Sequence, residues 1–101
     1  MKLIVAFDLD ADIIEVPQCV IDSKDRLRSR FLKWLYDESI HHKYWVDTKD
    51  ASGRKIRGLR YRSDAFVEWL NKKVLSKSGD AAVVLDTHVA EHPENLPKIF
   101  F

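Results

Sequence analysis

The sequence predicts an α+β fold in a single domain covering residues 1–101. Two stretches carry apolar residues at helical spacing, and several short runs rich in β-branched or aromatic residues are typical of strands. The chain of 101 residues has the length of one domain, and its 46% hydrophobic and 33% charged residues are ordinary for a globular protein. This composition argues against a two-domain enzyme, a disulfide scaffold and a membrane-spanning protein.

Apolar runs near both ends predict strands. Residues 3–7 form a continuous apolar run that stops at an aspartate and is too short for a helix. A second extended piece is predicted at 13–16, and Pro17 ends it because proline cannot donate to a strand ladder. Residues 81–85 form the last predicted strand, and a proline-containing tail follows at 88–101.

Both predicted helices begin with a capping residue. The first covers about residues 23–38 with Ser23 at its start, and the second covers 64–76 after Ser63. Gly79 fits the position just beyond the second helix. Each helix has one apolar face, formed by Leu27, Phe31, Trp34 and Leu35 on the first and by Phe66, Val67, Leu70 and Val74 on the second.

Two β-rich runs at 43–48 and 54–62 flank a short loop that ends in Gly53, a pattern that predicts a hairpin. The apolar residues of the second run change parity around Gly58, which we interpret as a β-bulge. With a bulge at this position, the apolar side chains of the run face inward. Its basic side chains then face outward, namely Lys55, Arg57, Arg60 and Arg62.

The predicted element order is β-α-β-β-α-β followed by the tail. This is the order of the ferredoxin-like arrangement, in which an antiparallel sheet carries two helices on one face. A winged-helix-like module, with the 43–62 hairpin as its wing, is the alternative. The alternative is weaker because a helix-turn-helix core needs three helices and the sequence indicates two.

Charge is unevenly distributed along the chain although the net charge is only +1. Residues 1–22 carry one lysine and five acids, and residues 80–101 carry one lysine and four acids. Residues 23–79 carry fifteen lysines and arginines against seven acids. A basic middle between acidic ends favours an anionic partner, and phosphate backbones are the commonest polyanions.

The leading functional hypothesis is therefore a small non-enzymatic binding module that engages nucleic acid or a nucleoprotein through a basic face. Trp45 has a parity opposite to its apolar neighbours, so we expect it to point outward, where an aromatic ring can stack on a base. The basic face is expected to come from the first helix and the hairpin. Its candidate contact residues are Arg26, Arg30, Lys33, Trp45, Lys55, Arg57, Arg60 and Arg62.

A protein partner is the alternative. The same basic face could dock on an acidic protein surface, as in an inhibitor or adaptor of phage or mobile-element type that acts on a nucleic-acid-processing protein. The acidic ends could equally imitate phosphate. The apolar end of the tail is expected to pack back onto the fold, and otherwise it would form a homodimer contact through Leu96, Ile99, Phe100 and Phe101.

Three aspartates follow the first predicted strand at alternate positions, Asp8, Asp10 and Asp12. This segment resembles the first motif of the haloacid-dehalogenase-like phosphatases, which implies a nucleophilic Asp8 and an acid/base Asp10. The resemblance is confined to this short segment, places Asp12 where the family usually has Thr or Val, and would require a larger doubly wound sheet. A cation site formed by the three carboxylates, and a metal-dependent hydrolase built on it, is the least favoured hypothesis, and an acid-rich turn is preferred.

Two histidine pairs are the other candidates for chemistry. His88 and His92 could bind a transition metal with a carboxylate, but Pro93 disfavours the helix that would bring them together, so a surface loop is preferred. His41 and His42 follow the first helix, where cationic side chains complement the helix dipole, and we interpret them as a cap region.

Cys19 is the only cysteine, which excludes an intramolecular disulfide and a zinc site built on cysteines. Its apolar neighbours predict a buried and unreactive thiol. The N-terminal apolar run is shorter than a secretory signal, so we expect an intracellular protein with no membrane association. The glycines, at 53, 58 and 79, form no phosphate-binding loop, and no cofactor is predicted.

Overall fold

A computed structural model describes residues 1–101 and shows a mixed α+β fold with two sheets. This confirms the predicted fold class. The elements in chain order are β1 (Lys2–Ala6), β2 (Ala11–Glu15), α1 (Gln18–Asp22), α2 (Lys24–Leu35), β3 (Trp45–Lys49), β4 (Lys55–Leu59), α3 (Ser63–Trp69), β5 (Val83–Val89) and β6 (Lys98–Phe100). Helix α3 continues directly into a π-helical segment, Leu70–Val74.

The main sheet has four strands in the order β5-β2-β1-β6, while β3 and β4 form a separate two-stranded sheet. The ferredoxin-like arrangement is therefore not confirmed, and neither is the winged-helix alternative. The reason lies in β1, whose two edges are taken by β2 in an antiparallel hairpin and by β6 in parallel. The strands of the 43–62 hairpin are largely exposed and polar, so they cannot line a buried sheet face as β1 does.

The core lies between one face of the four-stranded sheet and the helices. Leu3 and Ile14 from the sheet meet Phe31 of α2 and Phe66 of α3, and all four side chains are fully buried. The two phenylalanine rings pack edge to face with their centroids 5.3 Å apart. A smaller apolar cluster on the other sheet face is covered by Leu96 of the tail.

The tail packs back onto the fold, as the sequence predicts. Ile99 in β6 is buried, and the Phe101 ring packs against Phe31 and Phe66 with centroids 5.5 and 5.6 Å apart. Phe100 alone points away, with 62% of its surface exposed. The parallel pairing with β1 thus anchors most of the apolar C-terminus inside the molecule.

The helices differ from prediction at their ends. The first predicted helix is observed as the shorter α2, and the second stops at Trp69 and becomes π-helical. Helix α1 has no counterpart among the predicted elements. It turns Cys19 outward and Val20 inward, so the prediction of a buried thiol is wrong. No helix has the length and the apolar composition needed to cross a membrane.

The predicted bulge at Gly58 is also wrong. Gly58 pairs with Val46 in an uninterrupted β3–β4 register. The parity change in the sequence arises because Ile56 and Leu59 lie on opposite faces of a regular strand. Ile56, which a bulge would turn inward, is 44% exposed, while Leu59 packs against the core. The register shifts of the fold lie instead between β2 and β5, on both sides of Ile13.

Candidate functional site

Asp12 forms the centre of a buried polar network in the body of the molecule. Its side chain is fully buried on β2 and accepts hydrogen bonds from the Arg62 guanidinium, 2.6 Å from Nη2, and from Ser63. Ser63 donates both its backbone N–H, at 3.1 Å, and its hydroxyl, at 2.6 Å. The backbone N–H of His88 completes the set at 3.1 Å. One carboxylate therefore joins β2 to the first residue of α3 and to β5.

The charge of Asp12 is stabilised despite its burial. Burial alone would raise the pKa of the Asp12 carboxyl, but the hydrogen bonds from Arg62, Ser63 and His88 outweigh it and lower the pKa. The hydrogen bond to Asp12 in turn raises the pKa of Arg62. Both groups are consequently ionised at neutral pH, and the pair holds elements that are far apart in sequence.

His88 adopts a left-handed backbone conformation, with φ at 56°. It lies where the β2–β5 register shifts, opposite Asp12. A positive φ is unfavourable for a residue with a Cβ atom, and it persists only where the surroundings impose it. Here the imposed conformation aims the His88 N–H at the buried carboxylate.

The three aspartates do not form a cation site. Asp12 faces inward, and Asp10 accepts a hydrogen bond from the same Arg62 Nη2 at 2.8 Å, while Asp8 lies exposed in the β1–β2 turn. A guanidinium therefore occupies the space between two of the carboxylates. No group of three His, Cys, Asp or Glu side chains in the chain is placed to hold a metal ion. His88 and His92 therefore do not form a metal site with a carboxylate either.

Arg62 is consequently not part of the basic face, and the prediction that it faces outward is wrong. Its guanidinium pairs with two aspartates and also lies over the Phe7 ring, 4.5 Å from the centroid. Arg60 remains exposed, but it lies beyond the end of β4. Sequence parity could not reveal this because Asp12 and Arg62 are fifty positions apart.

The β3–β4 hairpin, defined here as the hairpin arm (residues 45–59), carries exposed charges on one face. Lys49 lies directly opposite Lys55, and Asp47 lies opposite Arg57 in the same face. The Asp50 carboxylate in the loop accepts hydrogen bonds from the Ser52 hydroxyl and from the backbone N–H groups of Ser52 and Arg54. Neither lysine ammonium has a carboxylate within 4.0 Å.

An aromatic row connects the hairpin arm to α2. The Trp34 and His42 rings lie 4.6 Å apart, and His42 stacks on Trp45 with an interplanar angle of 7°. The guanidinium of Arg57 covers Trp45 at 4.7 Å. Trp45 is therefore half-buried at the base of the arm, not the outward-pointing ring that the sequence predicts.

Two hydrogen bonds of His42 hold the aromatic row against the end of α2. Its Nε2 lies 2.9 Å from the carbonyl oxygen of Leu35 at the end of α2, and its Nδ1 accepts the Tyr44 N–H at 3.2 Å. With Nδ1 accepting, Nε2 carries the proton and donates to the helix carbonyl. His42 thus caps the end of α2 through a hydrogen bond and not through the cationic charge that the sequence interpretation invokes, and His41 is exposed and takes no part.

The basic residues of α2 lie on one exposed stripe. Arg26, Arg30 and Lys33 follow helical spacing, and none of them has a carboxylate partner. The Arg30 guanidinium lies over the Trp69 ring at 5.6 Å. Since Trp34 is four residues beyond Arg30, the stripe and the aromatic row meet on the same part of the helix.

A second ionic cluster, which has no counterpart among the predicted site residues, lies beside the row. Glu68 accepts a hydrogen bond from the Tyr44 hydroxyl at 2.6 Å and pairs with Lys43 at 2.8 Å and with Lys72 at 2.9 Å. The contacts with Lys43, Tyr44 and Lys72 lower the pKa of Glu68 to about 2. Burial and the neighbouring carboxylate raise the pKa of Tyr44. The i,i+4 spacing of Glu68 and Lys72 is the only part of this cluster that sequence alone could indicate.

No protein-family model, curated protein or solved structure matches this chain. Its function is therefore inferred from its own side chains and their surroundings.

Proposed function

We propose that this protein is a small non-enzymatic binding module that engages nucleic acid through the hairpin arm and the basic stripe of α2. The observation that carries the proposal is the unpaired charge of Lys49 and Lys55. Like charges placed directly opposite across a hairpin destabilise it, and no carboxylate lies within 4.0 Å of either ammonium group here. An anionic partner at this position removes the repulsion, and phosphate groups are suited to two adjacent ammonium groups.

The shape of the hairpin arm supports the same partner. It is a two-stranded antiparallel ribbon that stands outside the main sheet, with most of its residues exposed. Neighbouring strands lie about 4.8 Å apart. Because the major groove of DNA is about 12 Å wide and admits a two-stranded ribbon, the arm is narrow enough to enter it.

The stripe on α2 extends the cationic surface beyond the arm. Arg26, Arg30 and Lys33 are available for phosphate contacts because none of them is used in an ion pair. The aromatic row holds the base of the arm against this helix. A polyanion that follows the arm therefore meets further cations along its path.

The test is a comparison of two matched double variants in binding to DNA and RNA at several salt concentrations. Lys49→Ala/Lys55→Ala removes the charges of the arm, while Lys2→Ala/Lys98→Ala removes two lysines from the main sheet. We expect the arm variant to bind more weakly and to lower the slope of log K against log salt by about one per lysine. Circular dichroism and urea unfolding check that both variants stay folded.

Equal affinities for the two double variants would overturn the role of the arm. If wild type bound neither DNA nor RNA at low salt, the proposal would fail, and an acidic protein surface would become the partner to seek. Arg57 and Arg62 are left intact in this experiment because their removal would disturb the fold. Arg57 stacks on Trp45, and Arg62 pairs with Asp12.

A further inference from the structure

A small groove lies between the end of α2, the residues before β3 and the π-helical segment. Its volume is about 220 Å³. The rings of Trp34, His42 and Trp69 form its walls, with Trp69 largely buried and the other two half-buried. The groove therefore combines aromatic surface with an opening to solvent.

Lysines line the same groove. Lys43, Lys72 and Lys73 are exposed and contribute to its wall, and Glu68 is the single acid there. Glu68 is already bound by Lys43, Lys72 and the Tyr44 hydroxyl. Lys73 has no carboxylate within 4.0 Å, so the groove keeps an excess of positive charge with one free ammonium group.

The backbone that carries these lysines is unusual. Lys72 and Lys73 lie in the π-helical segment Leu70–Val74. They follow Glu68 and Trp69 of α3 by four residues each, and these two residues line the same groove. Local π-helical turns interrupt helices rarely and are frequent at functional sites.

The groove is continuous with the hairpin arm. His42 lines the groove and also a neighbouring depression formed with Trp45 and Arg57. The aromatic row thus runs from the groove to the base of the arm. A nucleic-acid strand held by the arm would reach the groove along this row.

We infer that this groove receives one unpaired base of a nucleic acid, with the base against Trp34 and the adjoining phosphate at Lys73. This inference rests on the proposed nucleic-acid function. Unpaired bases are recognised by stacking on aromatic side chains beside cationic groups that hold the backbone. A base within a duplex is stacked between its neighbours and cannot enter the groove, so only a single strand or an unpaired nucleotide can occupy it.

Tryptophan fluorescence reports directly on this site, because the only three tryptophans are Trp34, Trp45 and Trp69. The full chain is titrated with a short oligothymidylate, with an abasic oligonucleotide of the same length, and with a duplex. The abasic strand keeps the phosphates and removes the bases. We expect the base-bearing strand to quench fluorescence and to bind at least about fivefold more tightly than the abasic strand.

Two variants test whether the tighter binding of the base-bearing strand depends on the groove. Lys73→Ala is expected to weaken binding of the base-bearing strand, whereas Lys77→Ala, which removes an exposed lysine outside the groove, is the matched control. Trp34→Phe keeps an aromatic ring against Phe31 and is expected to reduce the preference for the base-bearing strand. Unfolding curves confirm that each variant is folded.

The outcomes separate this inference from the proposed function. If the base-bearing, abasic and duplex ligands bound equally and all weakened with salt, the nucleic-acid function would stand and the groove would not receive a base. Equal effects of Lys73→Ala and Lys77→Ala would likewise overturn the groove. If no ligand bound at low salt, both proposals would fail.

Discussion

The body of the molecule, meaning the four-stranded sheet with α1 to α3, and the hairpin arm use charged side chains in opposite ways. In the body, Asp12 is fully buried and every hydrogen bond it accepts comes from another element. In the arm, Lys49 and Lys55 are exposed and lie opposite each other without a partner. The buried charge of the body is satisfied internally and stabilises the fold, while the exposed charge of the arm, like that of the stripe on α2, remains available to a partner.

The difference has a direct consequence for mutation. Removing one member of a buried ion pair leaves the other without compensation, which is strongly destabilising. Removing an exposed, unpaired charge changes stability little. The two regions should therefore respond to similar substitutions with effects on different properties, stability in the body and binding in the arm.

The largest effect is expected for Asp12→Asn. The variant keeps the shape of the side chain but removes the charge that faces Arg62, so we expect a loss of about 3 kcal/mol in the free energy of unfolding, measured by urea denaturation. Asp8→Asn, at an exposed aspartate in the β1–β2 turn, should change it by less than about 0.5 kcal/mol. Similar losses for the two variants would show that the buried network does not hold the fold together.

The next effect concerns pH. The pKa of Glu68 is lowered to about 2 from an ordinary value of 4.5, and that of Asp12 is lowered from 3.8. A carboxyl whose pKa is depressed by folding contributes stability above its unfolded pKa and loses it as the pH falls toward its folded pKa. We therefore expect a constant free energy of unfolding from neutral pH down to about 5 and a decline below that.

Glu68→Gln tests the source of this decline. The variant should be less stable at neutral pH, because Lys43 and Lys72 lose their partner. Below pH 4.5 its free energy of unfolding should fall less steeply than that of wild type, because one group that takes up a proton on unfolding is gone. Parallel curves for the two proteins would show that Glu68 does not contribute to the acid sensitivity.

Local sequence patterns predict many elements of the body and of the arm. The features they miss depend on pairing between residues that are far apart in the sequence. The hairpin and α2 are predictable because loop residues and helical spacing are read within short windows. The sheet order is not, since β6 reaches β1 from the opposite end of the chain. A parallel strand pair leaves no local signal.

The same limit applies to the site residues. Lys55 and Arg57 are correctly expected on the surface of a hairpin, although Ile56 between them, which the sequence predicts to face inward, is exposed as well. Arg62 is an arginine at the same alternate spacing as Arg60, so the sequence pattern does not distinguish the two. Only the fold brings Asp12 close to Arg62. Trp69 and Lys73 likewise meet Trp34 in one groove only after α3 packs beside α2.

A smaller effect is expected for His88→Gly in the body. His88 holds a positive φ, which glycine adopts without strain although it loses more backbone entropy on folding. The net gain in the free energy of unfolding should be about 0.5–1 kcal/mol, from urea denaturation. His88→Val, with a β-branched side chain, should lower stability instead. If glycine were destabilising, the His88 side chain and not its backbone would be the stabilising part.

The smallest change in stability is expected in the arm, for Lys55→Gln. The variant removes the repulsion with Lys49 and should stabilise the hairpin by a few tenths of a kcal/mol, which is measured by amide hydrogen exchange in β3 and β4. Since salt screens exposed charges, the gain should shrink at high ionic strength. Lys2→Gln in the main sheet is the control and should leave hairpin exchange unchanged. Faster exchange in Lys55→Gln would mean that this lysine supports the hairpin, so its charge would no longer distinguish the arm from the body.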